Sequence, residues 1–417
     1  MYKIRIPYSE VIIKVAFFIF IFFTFFPSSE PFPAGRQEIG VENMSESNPL
    51  NQIIKLSVFF LTFLSSIYKF DEIIIFIKKE KYLFLFLLWA LLSIFWSNFP
   101  MVTFKRWFQI FLIYYLFITF LVYFDENEII KIIKPILYLY LIATIFSVLF
   151  IPGAKDLAFN TWRGFSPTKN TLGQIGVISS VLSLIIYLKE NLKIKKYIAL
   201  FFLLLSIVIV LGTLSSTSYI ALFIFLSGTA LYWLNTKFLQ SIGAGKTIFI
   251  LSLSFSVVLF LIISVFMPQL TDYIQGIFGK SETFYDRGKL WTVMLWHFGQ
   301  HPLIGCGYQA FWTIENPQLL LLYQTFVWLP NQAHNGYLDI LNEVGIVGFV
   351  LFMIMILKNI VSSFKEKLIT PWLWFFILPL IINVTESNFY RPGIIITTFI
   401  ILSYLIIEKI NNYSINY

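Results

Sequence analysis

All three histidines of the chain, His297, His301 and His334, lie in one long polar stretch between two hydrophobic spans. This stretch runs from about residue 267 to residue 335 and also carries Arg287. Histidine suits proton transfer because its unperturbed pKa lies nearest to neutral pH among the side chains. A neighbouring arginine suits an anionic substrate. The pattern therefore predicts a reaction centre rather than a packing detail.

The composition places this stretch in a polytopic membrane protein. Of the 417 residues, 58% are hydrophobic and only 12% are charged, so a soluble domain could not hide the apolar surface. The net charge of +8 then reports topology and contact with anionic lipids, not nucleic acid. A single cysteine, Cys306, excludes an internal disulfide and a cysteine-based metal cluster. We expect one membrane domain, residues 1–417, with one long external loop, residues 267–335.

Apolar stretches of membrane-crossing length predict an all-α fold with about twelve transmembrane helices. We interpret the first stretch as an uncleaved span, because no small-x-small cleavage site follows it. An even number of spans puts both termini on the same side. The predicted spans are 11–26, 53–68, 82–96, 104–123, 129–150, 172–188, 197–213, 216–234, 248–266, 337–357, 371–385 and 393–407.

Lysine and arginine divide unequally between the two sides of this topology. Most lysines fall on the side of the termini, which the positive-inside rule assigns to the cytoplasm. A guanidinium group grips phosphate or carboxylate with two hydrogen bonds and keeps its proton, so external arginines suggest an anionic ligand. The alternative is that they snorkel or pair with acids such as Glu386. Five of the six arginines are external, namely Arg36, Arg106, Arg163, Arg287 and Arg391.

Four external segments combine cations, aromatic residues and helix breakers. The first runs from Trp96 to Arg106 and the second from Trp162 to Asn170. The third contains Asp286-Arg287, Trp291 and the run His301-Pro302-Leu303-Ile304-Gly305-Cys306-Gly307-Tyr308. The fourth contains Ala333-His334-Asn335-Gly336-Tyr337 and then Glu343-Val344-Gly345-Ile346-Val347-Gly348.

In this order, these segments resemble the O-antigen ligase and polymerase superfamily. The motifs that carry the resemblance are Arg-Gly-x-x-x-x-Lys-Asn, Arg-x-x-x-Trp, Pro-Leu-Ile-Gly-x-Gly and Ala-His-Asn before Glu-x-Gly-x-x-Gly. The resemblance implies a multi-spanning GT-C-type glycosyltransferase that needs neither metal nor cofactor. It also implies an undecaprenyl-diphosphate-linked glycan as donor, handled at the periplasmic face of the bacterial inner membrane.

The resemblance also implies roles for individual residues. Arg163 and Arg287 match the arginines thought to hold the diphosphate, and His334 matches the histidine proposed to act at the acceptor. Two positions depart from the family pattern: Thr168 replaces a histidine that often precedes the lysine, and Ser215–Ser218 lacks a basic residue. The remaining residues that we assign to substrate binding are Lys169, Asn170, Arg106, Trp291, Asn335 and Arg391.

The chemistry of the proposed reaction fits these residue types. A lipid diphosphate is a stable leaving group, and fixed guanidinium groups stabilise the charge that grows on its bridging oxygen. The carboxylate pair of a glycosidase is then unnecessary. His334 remains to deprotonate the acceptor hydroxyl, and a direct displacement inverts the anomeric carbon. Aromatic side chains that could stack on sugar faces are Trp291, Trp296, Trp312 and Tyr308.

Structural alternatives stand beside these roles. His334 could cap the helix that starts near Asn335, and His297 and His301 could form hydrogen bonds within the loop. The loop aromatics could form an interfacial belt, and Cys306 could be a small filler between glycines. Asp286 and Glu343 could bind a divalent metal, although no tight acidic cluster is apparent.

Two classes of function remain open. The first is glycan transfer, either as chain polymerisation, which the Trp162–Asn170 segment favours slightly, or as ligation of a finished chain onto lipid A core. The second is a lipid-linked oligosaccharide flippase or transporter. Transporters usually show internal repeats and charged groups near the midplane of the bilayer, and neither is clear in this sequence.

Overall fold

The computed structural model describes residues 7–26, 49–155, 160–238, 284–319, 322, 330–365 and 371–413. Within these ranges the regular structure is helical, and strand-like pairing is limited to one isolated bridge between Lys155 and Trp162. The predicted all-α class is therefore confirmed. The predicted span 248–266, the residues 267–283 and Arg36 lie outside the described residues, so the count of twelve spans stays a prediction.

Thirteen α-helices make up the described part of the chain. Their bounds are α1 Pro7–Phe25, α2 Pro49–Ser66, α3 Phe70–Lys79, α4 Lys81–Leu92, α5 Pro100–Tyr123, α6 Glu126–Phe150, α7 Lys169–Lys189, α8 Lys193–Thr213, α9 Ser216–Phe238, α10 Phe284–Gln300, α11 Gly336–Lys365, α12 Trp374–Ile382 and α13 Ile395–Tyr413.

The long helices have the length and composition of transmembrane spans. Seven helical runs among the described residues are long and apolar enough to cross a bilayer. The 24 residues of α5 extend about 36 Å at 1.5 Å per residue, which exceeds the roughly 30 Å of a hydrocarbon core. Helices α2 and α3 join through a short 3₁₀ turn into one run, Pro49–Lys79, which is longer than the predicted span 53–68. The chain is a polytopic membrane protein.

Local sequence signals explain where several helices begin. Pro100 opens α5 at a position where the missing N–H costs nothing. The side chain of Asp125 accepts hydrogen bonds from the backbone N–H groups of Asn127 and Glu128, each at 3.1 Å, and so caps α6. Thr168 caps α7 by accepting from Thr171 N at 3.2 Å. The cap at Thr168 fixes the position of Lys169 and Asn170 in the first turn of α7.

Small residues let α7 and α8 approach each other closely. A Cβ at Gly176 would lie 2.6 Å from a methyl group of Val210. One turn further, Ser180 Oγ and Ser206 Oγ are 2.8 Å apart. Small side chains and shared hydroxyl bonds are the usual means by which membrane helices pack together. We call the end of the bundle where α5, α7, α9, α11 and α13 begin the site end, and all four segments singled out in the sequence lie there.

Helix α11 is broken at Gly345, and a loop segment supplies hydrogen-bond partners to the backbone at the break. Gly345 has φ 67° and ψ −175°, a conformation open essentially only to glycine. The backbone N–H groups of Ile346 and Val347 donate to the carbonyls of Pro302 and Leu303 at 2.9 and 3.2 Å. In return, Cys306 N and Gly307 N donate to the carbonyls of Asn342 and Glu343 at 3.1 and 2.9 Å. The two glycine motifs, 302–307 and 343–348, thus form one backbone junction.

We predict that Gly345→Ala destabilises the protein. A Cβ at this position would lie 2.4 Å from Leu303 O, and the backbone strain alone costs about 1–3 kcal/mol. The expected result is a lower thermal unfolding midpoint of the detergent-solubilised protein. Gly299→Ala is the matched control, because a Cβ there meets no atom within 4 Å. Equal unfolding midpoints for the two variants would contradict the junction.

Candidate functional site

The turn that carries His334 has a strained and fully supported backbone. His334 adopts φ 50°, the left-handed region that is uncommon outside glycine. The Oδ1 atom of the next residue, Asn335, accepts from the N–H groups of Tyr337 and Leu338, each at 3.1 Å. Asn335 therefore caps α11, which is the role that one alternative gave to His334. Its oxygen is engaged in this cap, so the predicted part of Asn335 in substrate binding can involve only its other atoms.

Glu386 is the polar centre around which His334 is placed. Its side chain is only 5% exposed, and its Oε2 lies 3.6 Å from His334 Nδ1. Gln332 Nε2 donates to Glu386 Oε2 and also lies 3.3 Å from His334 Nδ1. Asn170 Nδ2 donates to the other carboxylate oxygen at 3.1 Å. The second and fourth sequence segments therefore meet at one buried carboxylate.

Arg287 lies beside the same short loop between α12 and α13. Its Nη1 donates to the carbonyl of Thr385 at 3.2 Å, and its side chain is half-buried. The hydroxyl of Thr385 is 3.1 Å from the hydroxyl of Thr217 in the first turn of α9. Thr385 immediately precedes Glu386. The guanidinium group and the histidine thus approach two consecutive residues of one loop.

The backbone at Ala333 is held from both sides. Trp291, which we assign to substrate binding, donates its Nε1–H to Ala333 O at 2.8 Å, so this N–H is committed to the protein. Ala333 N donates to Asp339 Oδ2 at 3.2 Å. Asp339 also accepts from Arg391 Nη2 at 2.8 Å and from Trp312 Nε1 at 2.7 Å. These bonds fix the residue that precedes His334.

Two arginines that were predicted to bind substrate make structural contacts. Arg391 pairs with the buried Asp339 and lies 3.8 Å from Glu343. Arg106 donates to the backbone carbonyls of Gln309 and Trp312. Both guanidinium groups thereby hold the loop that surrounds the His334 turn. The carboxylate of Glu343 therefore faces the guanidinium group of Arg391.

The expectation that Tyr308 and Trp312 stack on sugars is wrong. Tyr308 is fully buried and its hydroxyl donates to Tyr390 O, while Trp312 is 7% exposed and bonded to Asp339. Neither ring offers an open face. Their polar groups bond to Tyr390 and Asp339, both outside the 267–335 loop, and the sequence pattern does not reveal such partners. Among the four aromatic residues considered, Trp296 is the most exposed and Trp291 is half-buried.

Arg163 is fixed to the site end of α6. Its Nε donates to Gly153 O at 2.8 Å, and its backbone N–H donates to Ala154 O at 3.0 Å. The neighbouring Trp162 packs over Gly212, where a Cβ would lie 2.2 Å from the indole ring. The meeting of Arg163 with Arg287 over a diphosphate stays a prediction. So does substrate binding by Lys169, the first residue of α7.

His297 is a buried structural histidine at the junction between α10 and α11. Its Nδ1 lies 2.6 Å from Asn342 Oδ1, and its ring packs against Phe311 with centroids 4.6 Å apart. Burial is the largest influence on His297 and lowers its pKa. The hydrogen bond with Asn342 raises the pKa, and the nearby His301 lowers it further. The bond to Asn342 reaches a helix, not the loop in which a partner was expected. His301 is exposed.

This environment predicts that stability falls on the acid side of neutrality. Because the folded-state pKa of His297 lies below the ordinary value of about 6.5, the unfolded chain takes up the proton first as the pH drops. We expect the unfolding midpoint to fall as the pH drops below about 6.5. His297→Gln keeps a polar group towards Asn342 and should flatten this fall, whereas His301→Gln should not. An identical pH dependence in all three proteins would refute the assignment.

Comparison with known proteins supports the reading of the motifs. Residues 200–353 match the O-antigen ligase family. The exopolysaccharide production protein ExoQ of Rhizobium meliloti (strain 1021) is 29% identical over 101 residues. The resemblance to the O-antigen ligase and polymerase superfamily is confirmed. The match to ExoQ covers 23% of this chain and 23% of that protein.

The O-antigen ligase match contains only part of the site. Arg287, Trp291 and His334 lie within residues 200–353, whereas Asn170 and Glu386 lie outside. The structure joins the two groups through the hydrogen bonds of Glu386. From the sequence alone, Glu386 is expected only to pair with external arginines. Its position next to an apolar span was the available signal, because ionisable residues in such places are usually functional.

Proposed function

We propose that the protein is a glycosyltransferase that moves an undecaprenyl-diphosphate-linked glycan onto a sugar hydroxyl. The reaction would take place at the periplasmic face of the bacterial inner membrane, with both termini in the cytoplasm. The observation that carries the proposal is the placement of His334 against the buried Glu386, one residue from the carbonyl that Arg287 contacts. A proton acceptor and a fixed cation at one loop are what this transfer requires.

His334 acts as the general base in this proposal. Nδ1 faces the carboxylate of Glu386 at 3.6 Å and the amide nitrogen of Gln332 at 3.3 Å, so Nε2 is the nitrogen left for the acceptor. In this scheme acceptor binding places the proton on Nδ1, where the carboxylate stabilises it, and leaves the lone pair on Nε2. Nε2 takes the proton of the acceptor hydroxyl while the acceptor oxygen bonds to the anomeric carbon. The bond between that carbon and the diphosphate oxygen breaks, and the electron pair leaves with the diphosphate. One direct displacement inverts the configuration at the anomeric carbon.

Arg287 stabilises the leaving group. Negative charge grows on the bridging oxygen as the bond breaks, and a guanidinium group fixed by the Thr385 carbonyl needs little reorganisation to meet it. The first turn of α9 reaches the same loop, because the hydroxyl of Thr217 contacts the hydroxyl of Thr385. Arg163 and Lys169 are proposed as further contacts to the diphosphate. Neither a metal ion nor a cofactor takes part in this scheme.

Within this activity we favour chain polymerisation over ligation to lipid A core. The similarity to an exopolysaccharide production protein supports that choice, as does the Trp162–Asn170 segment. The acceptor would then be the non-reducing end of another lipid-linked repeat unit. Ligation of a finished chain to lipid A core is the alternative.

The experiment incubates the purified protein in lipid nanodiscs with an undecaprenyl-diphosphate-linked repeat unit, with and without lipid A core. A ladder of lengthening glycans without core supports polymerisation. Transfer only in the presence of core supports ligation and rejects polymerisation. If neither product forms with several repeat-unit donors, while His334→Ala behaves the same as the parent protein, the transferase proposal is wrong.

A further inference from the structure

Among the residues that the structure describes, one apolar surface at the site end is exposed. The last two turns of α10 and the following loop expose Leu295, Trp296, Leu303 and Ile304, at 53%, 62%, 65% and 38% respectively. We call these four residues the 295–304 edge. Exposed large apolar side chains that adjoin one another indicate an interaction surface. The proposed transfer reaction does not use them.

The position of this edge follows from the junction at Gly345. The carbonyls of Pro302 and Leu303 accept from Ile346 N and Val347 N, so the edge lies level with these two residues of α11. Beyond Gly345, α11 exposes Ile346, Val347 and Val350 on its outer face. The exposed apolar residues of α11 therefore adjoin the Leu303–Ile304 part of the edge. The exposed Gln300 and His301 lie between that part and Trp296 in the chain.

The sequence of α11 places the membrane boundary at the same level. The residues before Gly345 include Asp339, Asn342 and Glu343, and residues 346–357 are all apolar or glycine. The core therefore begins near Gly345, which is the level of the 295–304 edge.

We infer that the 295–304 edge is a membrane anchor inserted at the boundary between headgroups and acyl chains. Trp296 has the amphipathic ring that prefers this depth, and the indole of Trp96 is tied to the edge by its bond to Ile304 O at 3.0 Å. The occupant of this surface is the bilayer itself, since its Leu303–Ile304 part adjoins the lipid-facing side of α11. The anchor also holds Arg287 in place, because Arg287 belongs to the same helix and lies about 14 Å along its axis from Trp296.

Site-directed spin labelling in nanodiscs tests the anchor without any activity assay. Cys306 is the single cysteine, so Cys306→Ala gives a cysteine-free background. Labels are then introduced through Trp296→Cys and Leu303→Cys. Val350→Cys serves as the lipid-facing control, and Lys289→Cys, at an exposed charged position of α10, serves as the water-facing control.

We expect the labels at 296 and 303 to be severalfold more accessible to oxygen than to a water-soluble nickel chelate, as at 350. The label at 289 should show the reverse order. Labels at 296 and 303 that behave like the one at 289 would overturn the anchor. So would exclusion of both reagents, which would mean that another part of the chain or a second copy covers the edge.

A measurement on unlabelled protein tests the anchor even if the cysteine variants fail to fold. In bilayers with brominated lipids, the parent protein should lose a larger share of its tryptophan fluorescence than Trp296→Phe. The difference isolates one of the eleven tryptophans. An equal quenched share in the two proteins contradicts the anchor, whatever the outcome of the transfer assays.

Discussion

His334→Ala is expected to lower kcat for glycan transfer by about 10²- to 10⁴-fold, the usual contribution of a positioned general base. The reason is the contact of His334 with Glu386, which assigns one nitrogen to the protein and leaves the other for the acceptor hydroxyl. The donor KM should change little, because the acceptor and not the diphosphate meets this residue. His301→Ala is the matched control, since His301 is exposed and belongs to the same sequence stretch.

Glu386→Gln tests whether the carboxylate acts through His334. A charge-assisted bond from His334 Nδ1 to Glu386, formed in the proposed scheme when Nδ1 carries the proton, would contribute about 1.5–3 kcal/mol, which corresponds to about a tenfold to hundredfold loss in kcat. In the His334→Ala background the same substitution should cost almost nothing. A merely structural role of Glu386 would give an equal loss in both backgrounds, because its bonds to Asn170 and Gln332 persist without the imidazole. That result would refute the proposal that Glu386 acts through His334.

The membrane class and the helical spans could be predicted because they depend on local composition. Each predicted span that falls within the described residues coincides with helix, since an apolar run of this length has no other way to satisfy its backbone in lipid. The break in α11 was harder to predict. Gly345 reads as one glycine in a helical pattern, and its conformation depends on backbone partners at Pro302 and Leu303, far away in sequence.

Charge type alone could not separate the arginines of the site from those of the scaffold. Arg287, Arg106 and Arg391 all lie at the site end. Arg391 lies opposite Asp339, a residue 52 positions earlier that α11 brings into contact. Arg106 binds main-chain carbonyls, which every residue possesses and which leave no trace in the sequence. The contact partners of these arginines could be identified only from the three-dimensional structure.

The importance of Glu386 was missed for a related reason. A buried carboxylate must be satisfied by donors, and its donors here are amides, Asn170 and Gln332, not the arginines that the sequence offered. Amide side chains are common in loops and carry no charge pattern. His334 could be singled out from the residues around it, but the group that orients it could not.

Arg287→Ala is expected to lower kcat by about 10²- to 10³-fold, comparable to the loss of one donor to a developing anion. The KM for the lipid-diphosphate donor should rise as well, because the diphosphate is charged before the reaction begins. Arg287→Lys should recover only part of the activity, since an ammonium group supplies the charge without the planar fork. Lys289→Ala removes an exposed cation two residues later on α10 and should leave transfer unchanged.

The contact of Arg287 with Thr385 O offers a competing explanation, in which Arg287 only holds the loop that carries Glu386. That explanation predicts a loss of kcat at constant donor KM, together with a lower unfolding midpoint. It also predicts that Arg287→Ala adds little to Glu386→Gln, because both would act by displacing His334. Stabilisation of the diphosphate predicts a raised KM, an unchanged unfolding midpoint and a full further loss in the Glu386→Gln background. Both accounts therefore predict a loss of kcat, and they diverge in the donor KM, the unfolding midpoint and the further loss in the Glu386→Gln background.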